Sequence, residues 1–362
     1  MQQGRWFRVE SPKPIAVGAG LIALDLVING KPEVPRRCWA GGTAGNVLII
    51  LSYLGWEAYP IARLKDGRAT DLLLKDLKRW EVDTSLVYLD TFGVTPIVVE
   101  RLRRSEAGVV KHKYEWTCPD CGSWLPRFRP LPTKAVAKIV DNMPTSQVFF
   151  FDRVARSSID LAHEAKSKGA LVVFEPSEAR KENLLPECLK VADVVKYSSD
   201  RQKNLHETTD DIEIPLEIET NGAEGLRYRI RRSCGSRPWR TMPAFSVDQL
   251  RDAAGSGDWC SAGLLHLLAQ SGRKGFEEAG SDHIEDALRF GQALAAFNCQ
   301  YEGPRGAMYQ VSKRTLGASV AEALEIGMVE RVEEQSSRVE PHGDHFICPN
   351  CRPSVGIGDT ES

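Results

Sequence analysis

Long hydrophobic runs and an excess of one charge sign are both missing from this 362-residue chain. No apolar run is longer than that at Val47–Leu51, whereas a membrane-spanning helix needs roughly 18 apolar residues. Lysine and arginine number 47 and aspartate and glutamate 49, so the net charge of −2 gives no reason to expect nucleic acid or an anionic membrane as a partner. Residues 1–14 contain three basic side chains but no apolar block that would act as a secretion signal. We therefore expect a cytoplasmic protein.

A disulfide framework is also not expected, because the nine cysteines are odd in number and no secretion signal is visible. Four of them form two Cys-Pro-x-Cys pairs, Cys118 with Cys121 and Cys348 with Cys351. Two residues between thiolates suit a tight turn, and two such turns complete a tetrahedral zinc site. Free thiols or a redox-active pair are the alternatives.

A site with four cysteine ligands leaves no open position for catalysis, so the expected role of Zn²⁺ is structural. It would fasten the polar C-terminal tail, residues 331–362, onto an insertion at 116–130. Three histidines lie near the pairs as substitute ligands: His112, His342 and His345. The remaining cysteines, including Cys260, are expected to be packing residues.

The hydrophobic pattern predicts a parallel sheet covered by helices on both faces. Residues 15–28 are almost continuously apolar, which is typical of a strand buried on both sides, and residues 43–54 have the length and stop signal of a helix. From residue 147 onwards, short apolar strands alternate with helical segments. Two strands at 95–102 and 109–116 are richer in charge, as expected of a sheet with one face in water.

The segment DAAGSGDWCSAGLLHLL, residues 252–268, combines glycines with the start of an apolar helix at about Asp258. Glycines there allow close approach of a ligand, and the unpaired amides at a helix N-terminus attract an anion. A carboxylate beside bound phosphate can take the proton of an attacking hydroxyl. The alternative is an ordinary glycine-rich turn with Asp258 as the helix cap.

Several motifs in order resemble those of the ribokinase-like (PfkB) carbohydrate kinases. DAAGSGD resembles their phosphotransfer signature, and AGGTAGNVLIILSYLG at 40–55 resembles their diglycine signature. GLIALDLV at 20–27 resembles the first strand, and ETNGAEG at 219–225 the turn along the nucleotide. The resemblance covers about residues 15–312. It implies a three-layer α/β/α domain over residues 1–330, with a small β-sheet lid built from about 26–38 and 95–115.

The resemblance also implies a function and a set of roles. ATP with Mg²⁺ would phosphorylate a hydroxyl of a small sugar or nucleoside, closure of the lid would exclude water, and two chains would pair through their lids. The implied residues are the base Asp258; an anion hole of Gly255, Ser256 and Gly257; acceptor contacts from Asp25, Gly42, Asn46 and Asp252; and a nucleotide site at Thr220, Gly222 and Gly225.

Two alternatives stand beside this interpretation. Ser198 and Arg201 occupy the positions where the family has Asn and Glu. This difference favours a catalytically weakened, kinase-like binding or regulatory protein. Its docking surface would be the two zinc knuckles, which are the Cys-Pro-x-Cys turns at 118–121 and 348–351. GAGLIA at 18–23 matches a dinucleotide-binding fingerprint, but the prolines and glycine at 30–35 do not sustain the helix that this fingerprint needs. We therefore treat that match as accidental.

Overall fold

A nine-stranded mixed sheet forms the centre of the part of the chain that the computed structural model describes, which is residues 6–28, 36–104, 110–177, 183–231, 238–334 and 347–351. Seven neighbouring strands are parallel, and the last two at one edge join through antiparallel pairs. In spatial order the strands are β13 (Arg240–Met242), β12 (Leu226–Ile230), β11 (Leu216–Thr220), β10 (Val194–Ser198), β9 (Leu171–Phe174), β8 (Val148–Phe151), β1 (Ile15–Ala19), β4 (Glu57–Leu64) and β5 (Val87–Leu89).

Helices cover both faces of this sheet. On strand β8, Phe150 belongs to one hydrophobic core and Phe149 and Phe151 to the other, because successive side chains of a strand point to opposite faces. The helices are α1 (Thr43–Leu54), α2 (Arg68–Arg79), α3 (Thr133–Asn142), α4 (Arg156–Ser167), α5 (Leu185–Val191), α6 (Leu205–Thr209), α7 (Ser256–Leu268), α8 (Gly272–Glu278), α9 (Ser281–Asn298), α10 (Gly306–Gln310) and α11 (Lys313–Ile326). The predicted three-layer α/β/α class is confirmed.

A second, four-stranded sheet forms the lid. Its strands, in spatial order, are β3 (Arg37–Gly41), β2 (Ala23–Ile28), β6 (Ile97–Arg104) and β7 (Val110–Glu115). The central pair, β2 and β6, is parallel, and the two outer pairs are antiparallel. The predicted lid segments, about 26–38 and 95–115, overlap parts of these strands, and residues 29–35 and 105–109 lie outside the described residues.

The single strand expected over residues 15–28 is wrong. The segment forms two strands, β1 in the central sheet and β2 in the lid, with a break at Gly20. A Cβ at Gly20 would lie 1.7 Å from the Asp152 carboxylate, whose oxygen accepts a hydrogen bond from the next amide, Leu21. The chain turns there to change sheets. An unbroken apolar pattern does not reveal such a turn, because both strands are buried.

Two further strands, β14 (Ser246–Val247) and β15 (Met328–Val329), form a short parallel pair beside the α9–α11 layer. None of the helices in the described ranges combines the length and apolarity needed to cross a membrane.

Candidate active site

The N-terminus of α7 is shaped by Gly255, which caps the helix with φ 70°. A Cβ at this position would lie 2.3 Å from the carbonyl oxygen of Pro304, so only glycine fits. The amide of Ser256 donates weakly to the Ala253 carbonyl, at 3.3 Å. Within the described residues, the amides of Gly255, Gly257 and Asp258 have no hydrogen-bond partner. These donors and the helix dipole create a positive site suited to a phosphate.

The carboxyl of Asp258 lies in the first turn of α7 and accepts a hydrogen bond from Asn46 Nδ2 at 2.8 Å. Burial raises the pKa of Asp258 to about 7, and the negative charge of Glu175 adds to the rise. A carboxylate with a pKa near neutrality is well suited to accept a proton in a reaction at physiological pH. Asn46 is itself buried, and its Oδ1 has no partner among the described residues, so it is available to a bound hydroxyl.

Asp25 lies on β2 beside the start of α1, where the diglycine turn makes room for its carboxylate. A Cβ at Gly41 would lie 1.8 Å from Asp25 Oδ2, and the Gly42 amide donates to the same oxygen at 3.4 Å. Gly42 has φ 78°, and a Cβ there would lie 2.3 Å from the Leu21 carbonyl oxygen. Both glycines are therefore required. Gly41 was not among the predicted site residues, although it is the first glycine of the diglycine motif and could have been identified from it.

The environment of Asp25 favours its protonated form. Burial is the main reason that its pKa is raised to about 8. The negative charge of Glu100 on lid strand β6 raises it further, whereas Arg305 lowers it. The buried Arg305 donates to the Ala40 carbonyl and to Asp76, at 3.0 Å, and so holds strand β3 against α2. Sequence reasoning missed Glu100 and Arg305, since single charged residues carry no motif.

Asp252 is fully buried and binds the backbone. Its two carboxylate oxygens accept hydrogen bonds from the amides of Ala254 and Gly303, both at 2.7 Å. These bonds connect the loop before Gly255 to the loop that carries Arg305. The geometry supports a positioning role for Asp252, and its contact with the acceptor stays a prediction.

A buried ion pair borders the other side of the α7 turn. Lys196 Nζ lies 2.7 Å from Glu175 Oε1, and Ser261 Oγ donates to Glu175 Oε2 at 2.5 Å. A Cβ at Gly257 would lie 3.6 Å from Glu175 Oε1 and 3.7 Å from Lys196 Nζ. Burial opposes protonation of Lys196, but Glu175 outweighs it, and the pKa of Lys196 is raised overall. The signal missed in the sequence was a lysine inside the apolar strand β10.

The predicted nucleotide residues follow strand β11. Thr220 ends this strand and donates to the Tyr197 carbonyl at 3.3 Å. Gly222 begins a short 3₁₀ helix, and a Cβ there would have no neighbour within 4 Å, so the turn is open on that side. Gly225 approaches the backbone of β13, where a Cβ would lie 2.1 Å from the Met242 carbonyl oxygen. Gly225 therefore has a packing role, and its nucleotide contact stays a prediction.

The two Cys-Pro-x-Cys turns meet in space. The Sγ atoms of Cys118 and Cys351 are 3.6 Å apart and those of Cys121 and Cys348 are 3.7 Å apart, with all four within 4.8 Å of one another. A disulfide would require about 2.05 Å, whereas four thiolates at about 2.3 Å from one tetrahedral zinc ion lie about 3.8 Å from each other. The four cysteines therefore fit a metal site. His342 and His345 lie outside the described residues, as does the side chain of His112.

This four-cysteine cluster lies against the lid. Together with Leu26 and Ile97 of the lid, Cys118 and Cys348 line one small cavity. The Ile97 amide donates to the Pro126 carbonyl at 3.1 Å, and Arg36 forms an ion pair with Asp120 at 2.7 Å. The insertion that carries Cys118 and Cys121, the first knuckle, is thus bonded to the sheet that carries Asp25.

Comparison with known proteins is consistent with this geometry. No family model matches the chain. Ketohexokinase of Mus musculus is 23% identical over an alignment of 317 residues, and the match covers 78% of this chain and 95% of that protein. A fructokinase from Xylella fastidiosa with bound ATP superposes with a TM-score of 0.65 at 19% identity, covering 86% of this chain and 99% of that one. A ribokinase from Giardia lamblia gives 0.65 at 15% identity, covering 87% and 99%.

The chain has the ribokinase-like fold. The resemblance to carbohydrate kinases predicted from the sequence is therefore confirmed, and the relatives it matches are sugar kinases by name. The carboxyl end of β10, the N-terminus of α7 and lid strand β2 lie close together, since Lys196 borders Gly257 and the charge of Asp258 acts on Asp25. Open α/β sheets bind ligands outside the carboxyl ends of their strands.

Proposed function

We propose that this ribokinase-like protein transfers the γ-phosphoryl group of ATP to a hydroxyl of a sugar or nucleoside. One observation carries the proposal. The Asp258 carboxyl, with a pKa near 7, lies at the mouth of an amide-lined helix N-terminus and is held there by Asn46. A base and an anion site side by side are what transfer of a phosphoryl group to an alcohol requires.

In the proposed reaction, Asp25 and Asn46 bind the acceptor and orient its hydroxyl toward the phosphorus. Asp258 accepts the hydroxyl proton as the new O–P bond forms and the bond to ADP breaks. The amides of Gly255, Gly257 and Asp258 stabilise the negative charge on the transferred group. Closure of the lid over the acceptor keeps water from competing as the nucleophile.

Magnesium is expected to enter as part of the ATP complex, where it would neutralise phosphate charge. The residues present do not supply the Asn and Glu that the resemblance predicts at positions 198 and 201. Arg201 carries a guanidinium, which has no lone pair for a metal, and both oxygens of the nearby Glu175 are engaged by Lys196 and Ser261. No step of the proposed mechanism runs through a protein-bound magnesium ion.

The four-cysteine cluster is proposed to hold a structural Zn²⁺ through Cys118, Cys121, Cys348 and Cys351. The ion would supply cross-linking only, and the knuckles would support the lid from outside. Pairing of two chains through their lids stays a prediction.

A second candidate is a kinase-like binding protein without efficient transfer. Arg201 in place of an acid favours it, and the position of Asp258 at the anion site opposes it. The two candidates differ in one observable, because a binding protein would take up ATP but produce no ADP with any acceptor.

The test is an assay of ADP release with ATP, Mg²⁺ and a panel of ketoses, aldoses and nucleosides. We expect turnover with at least one acceptor, and Asp258→Asn should lower kcat by about 100-fold or more. Asp282→Asn is a matched control, since Asp282 also lies in the first turn of a helix but is exposed, on α9. The proposal fails if wild type and Asp258→Asn are equally inactive across the panel.

A further inference from the structure

Lys196 is a buried cation that the proposed transfer does not use. Only 2% of its side chain is exposed, and it is the single charged residue of strand β10. Burying an ammonium group is costly unless it is paired, and replacing such a pair by apolar residues is often neutral or stabilising. A buried lysine in an otherwise apolar strand therefore calls for a reason beyond stability.

The position of Lys196 beside the N-terminal turn of α7 suggests a functional reason. Residue 196 lies near the carboxyl end of β10, and Glu175 directly follows the end of the neighbouring strand β9. These strand ends face the N-terminus of α7. The ammonium lies 3.7 Å from the point where a Cβ of Gly257 would be, so it borders the same turn whose amides form the anion site.

The electrostatic environment of Asp258 agrees with this position of Lys196. Lys196 and Arg201 both lower the pKa of Asp258, whereas Glu175 raises it. The ammonium is thus close enough to influence the base that faces the transferred group. Glu175 is held by Ser261, one turn further along α7, so the pair has a fixed position relative to the helix.

We infer that Lys196 is a further catalytic residue, whose ammonium contacts the transferred phosphoryl group beside Gly257 and stabilises its negative charge. The inference rests on the proposed function. Lys196 stays protonated and forms no covalent bond, since the acceptor proton goes to Asp258 and the bonding electrons of the broken P–O bond leave with ADP. Glu175 acts as a positioning residue that keeps the ammonium charged and aimed at the turn.

The experiment compares Lys196→Met with wild type in kinetics and in nucleotide binding. We expect kcat to fall by about 100-fold. The affinity for a non-hydrolysable ATP analogue should fall by about tenfold while the affinity for ADP stays unchanged, because only the analogue carries the γ-phosphate. A purely structural lysine would not separate the two nucleotides. Lys166→Met is the matched control, since Lys166 also pairs with a buried acid, Asp193, but lies on α4 away from the site.

A second variant guards against misfolding. Lys196→Met combined with Glu175→Gln removes both charges of the pair and leaves no unpaired ion inside the protein. It should melt near the wild-type temperature and show the same selective loss for the ATP analogue.

The inference is overturned if either variant keeps kcat within threefold of wild type, or if ADP and analogue affinities fall together. A wild-type protein that turns over no acceptor would instead overturn the proposed function, and the ratio of analogue to ADP affinity would still decide the role of Lys196. Wild type that binds neither nucleotide would overturn both.

Discussion

Asn46 and Asp258 are 212 residues apart in sequence, yet they form a hydrogen bond of 2.8 Å between the first turns of α1 and α7. The two helices pack against each other, and this bond shows that their first turns lie side by side. The bond connects the diglycine motif to the phosphotransfer motif.

Replacing Asn46 by Ala should change the pH dependence of the reaction. The amide hydrogen bond lowers the pKa of Asp258, so its loss should raise that pKa further above about 7. Since the base must be ionised, the acidic limb of kcat/KM should move to higher pH, and kcat/KM at pH 6 should fall by up to about tenfold. Asn142→Ala, at an exposed helix end, is the control. An acidic limb that stays in place would show that Asn46 does not set the ionisation of the base.

Gly41→Ala should impair acceptor binding selectively. The added methyl group would occupy the space of Asp25 Oδ2, so the carboxyl must move away from the acceptor. A displacement of about 1 Å at such a site costs about 100-fold, and we expect the loss in kcat/KM for the acceptor with little change in KM for ATP. Gly280→Ala, where a Cβ has no neighbour within 4 Å, should have no effect on either constant. Equal losses for both substrates would indicate general misfolding instead.

Removal of the metal should weaken the lid before the core. We expect about one zinc ion per chain by elemental analysis, and none in Cys348→Ser. Because the insertion that carries Cys118 and Cys121 is bonded to the lid through Pro126 and Ile97, loss of zinc should raise KM for the acceptor and lower the melting temperature.

Cys299→Ala provides the comparison for metal content, since Cys299 lies outside the cluster and should leave zinc binding intact. Full activity and an unchanged melting temperature of the metal-free protein would contradict the assigned role of the ion.

The contribution of Asp25 to the stability of the free protein should decrease as the pH rises. Burial raises the pKa of Asp25 from 3.8 to about 8, so the folded state holds this proton more tightly than the unfolded chain does. The resulting stabilisation is complete below pH 3.8 and is lost as the pH rises through about 8.

Asp25→Asn cannot ionise, and it should therefore melt about 2 °C or more above wild type at pH 8.5, with a smaller gain at pH 5. The same variant should also lose acceptor binding, so that one substitution raises the melting temperature while it impairs function. A gain in melting temperature that is independent of pH would rule out this explanation. Asp282→Asn, at an exposed helix end, should show no such dependence.

Local sequence signals predicted the helices that carry the motifs, but they did not predict every helix and strand packed around them. Helix α1 begins and ends at the predicted residues, because Gly42 and Gly55 bound it, and α7 begins at Ser256, close to the predicted start. By contrast, helix α11 and the antiparallel strand β12 were not predicted. Their patterns are short or mixed, and long-range packing decides them.

The charged residues around the site were the least predictable part. Lys196, Glu175 and Arg305 acquire their roles from burial and from partners far away in sequence, which a single chain does not display. Asp25 was predicted through the resemblance to the carbohydrate kinases, whereas no motif covers the lysine of β10. A charged residue in an apolar segment needs a partner, and this argument would have singled out Lys196.

The four-cysteine cluster joins Cys118 and Cys351, which are 233 residues apart in sequence. During synthesis, every strand of the central sheet emerges from the ribosome before the second knuckle does. The lid sheet can therefore be cross-linked through the cluster only after the whole central sheet has been synthesised, and a chain truncated before residue 348 would contain α7 but lack two of the four cysteines.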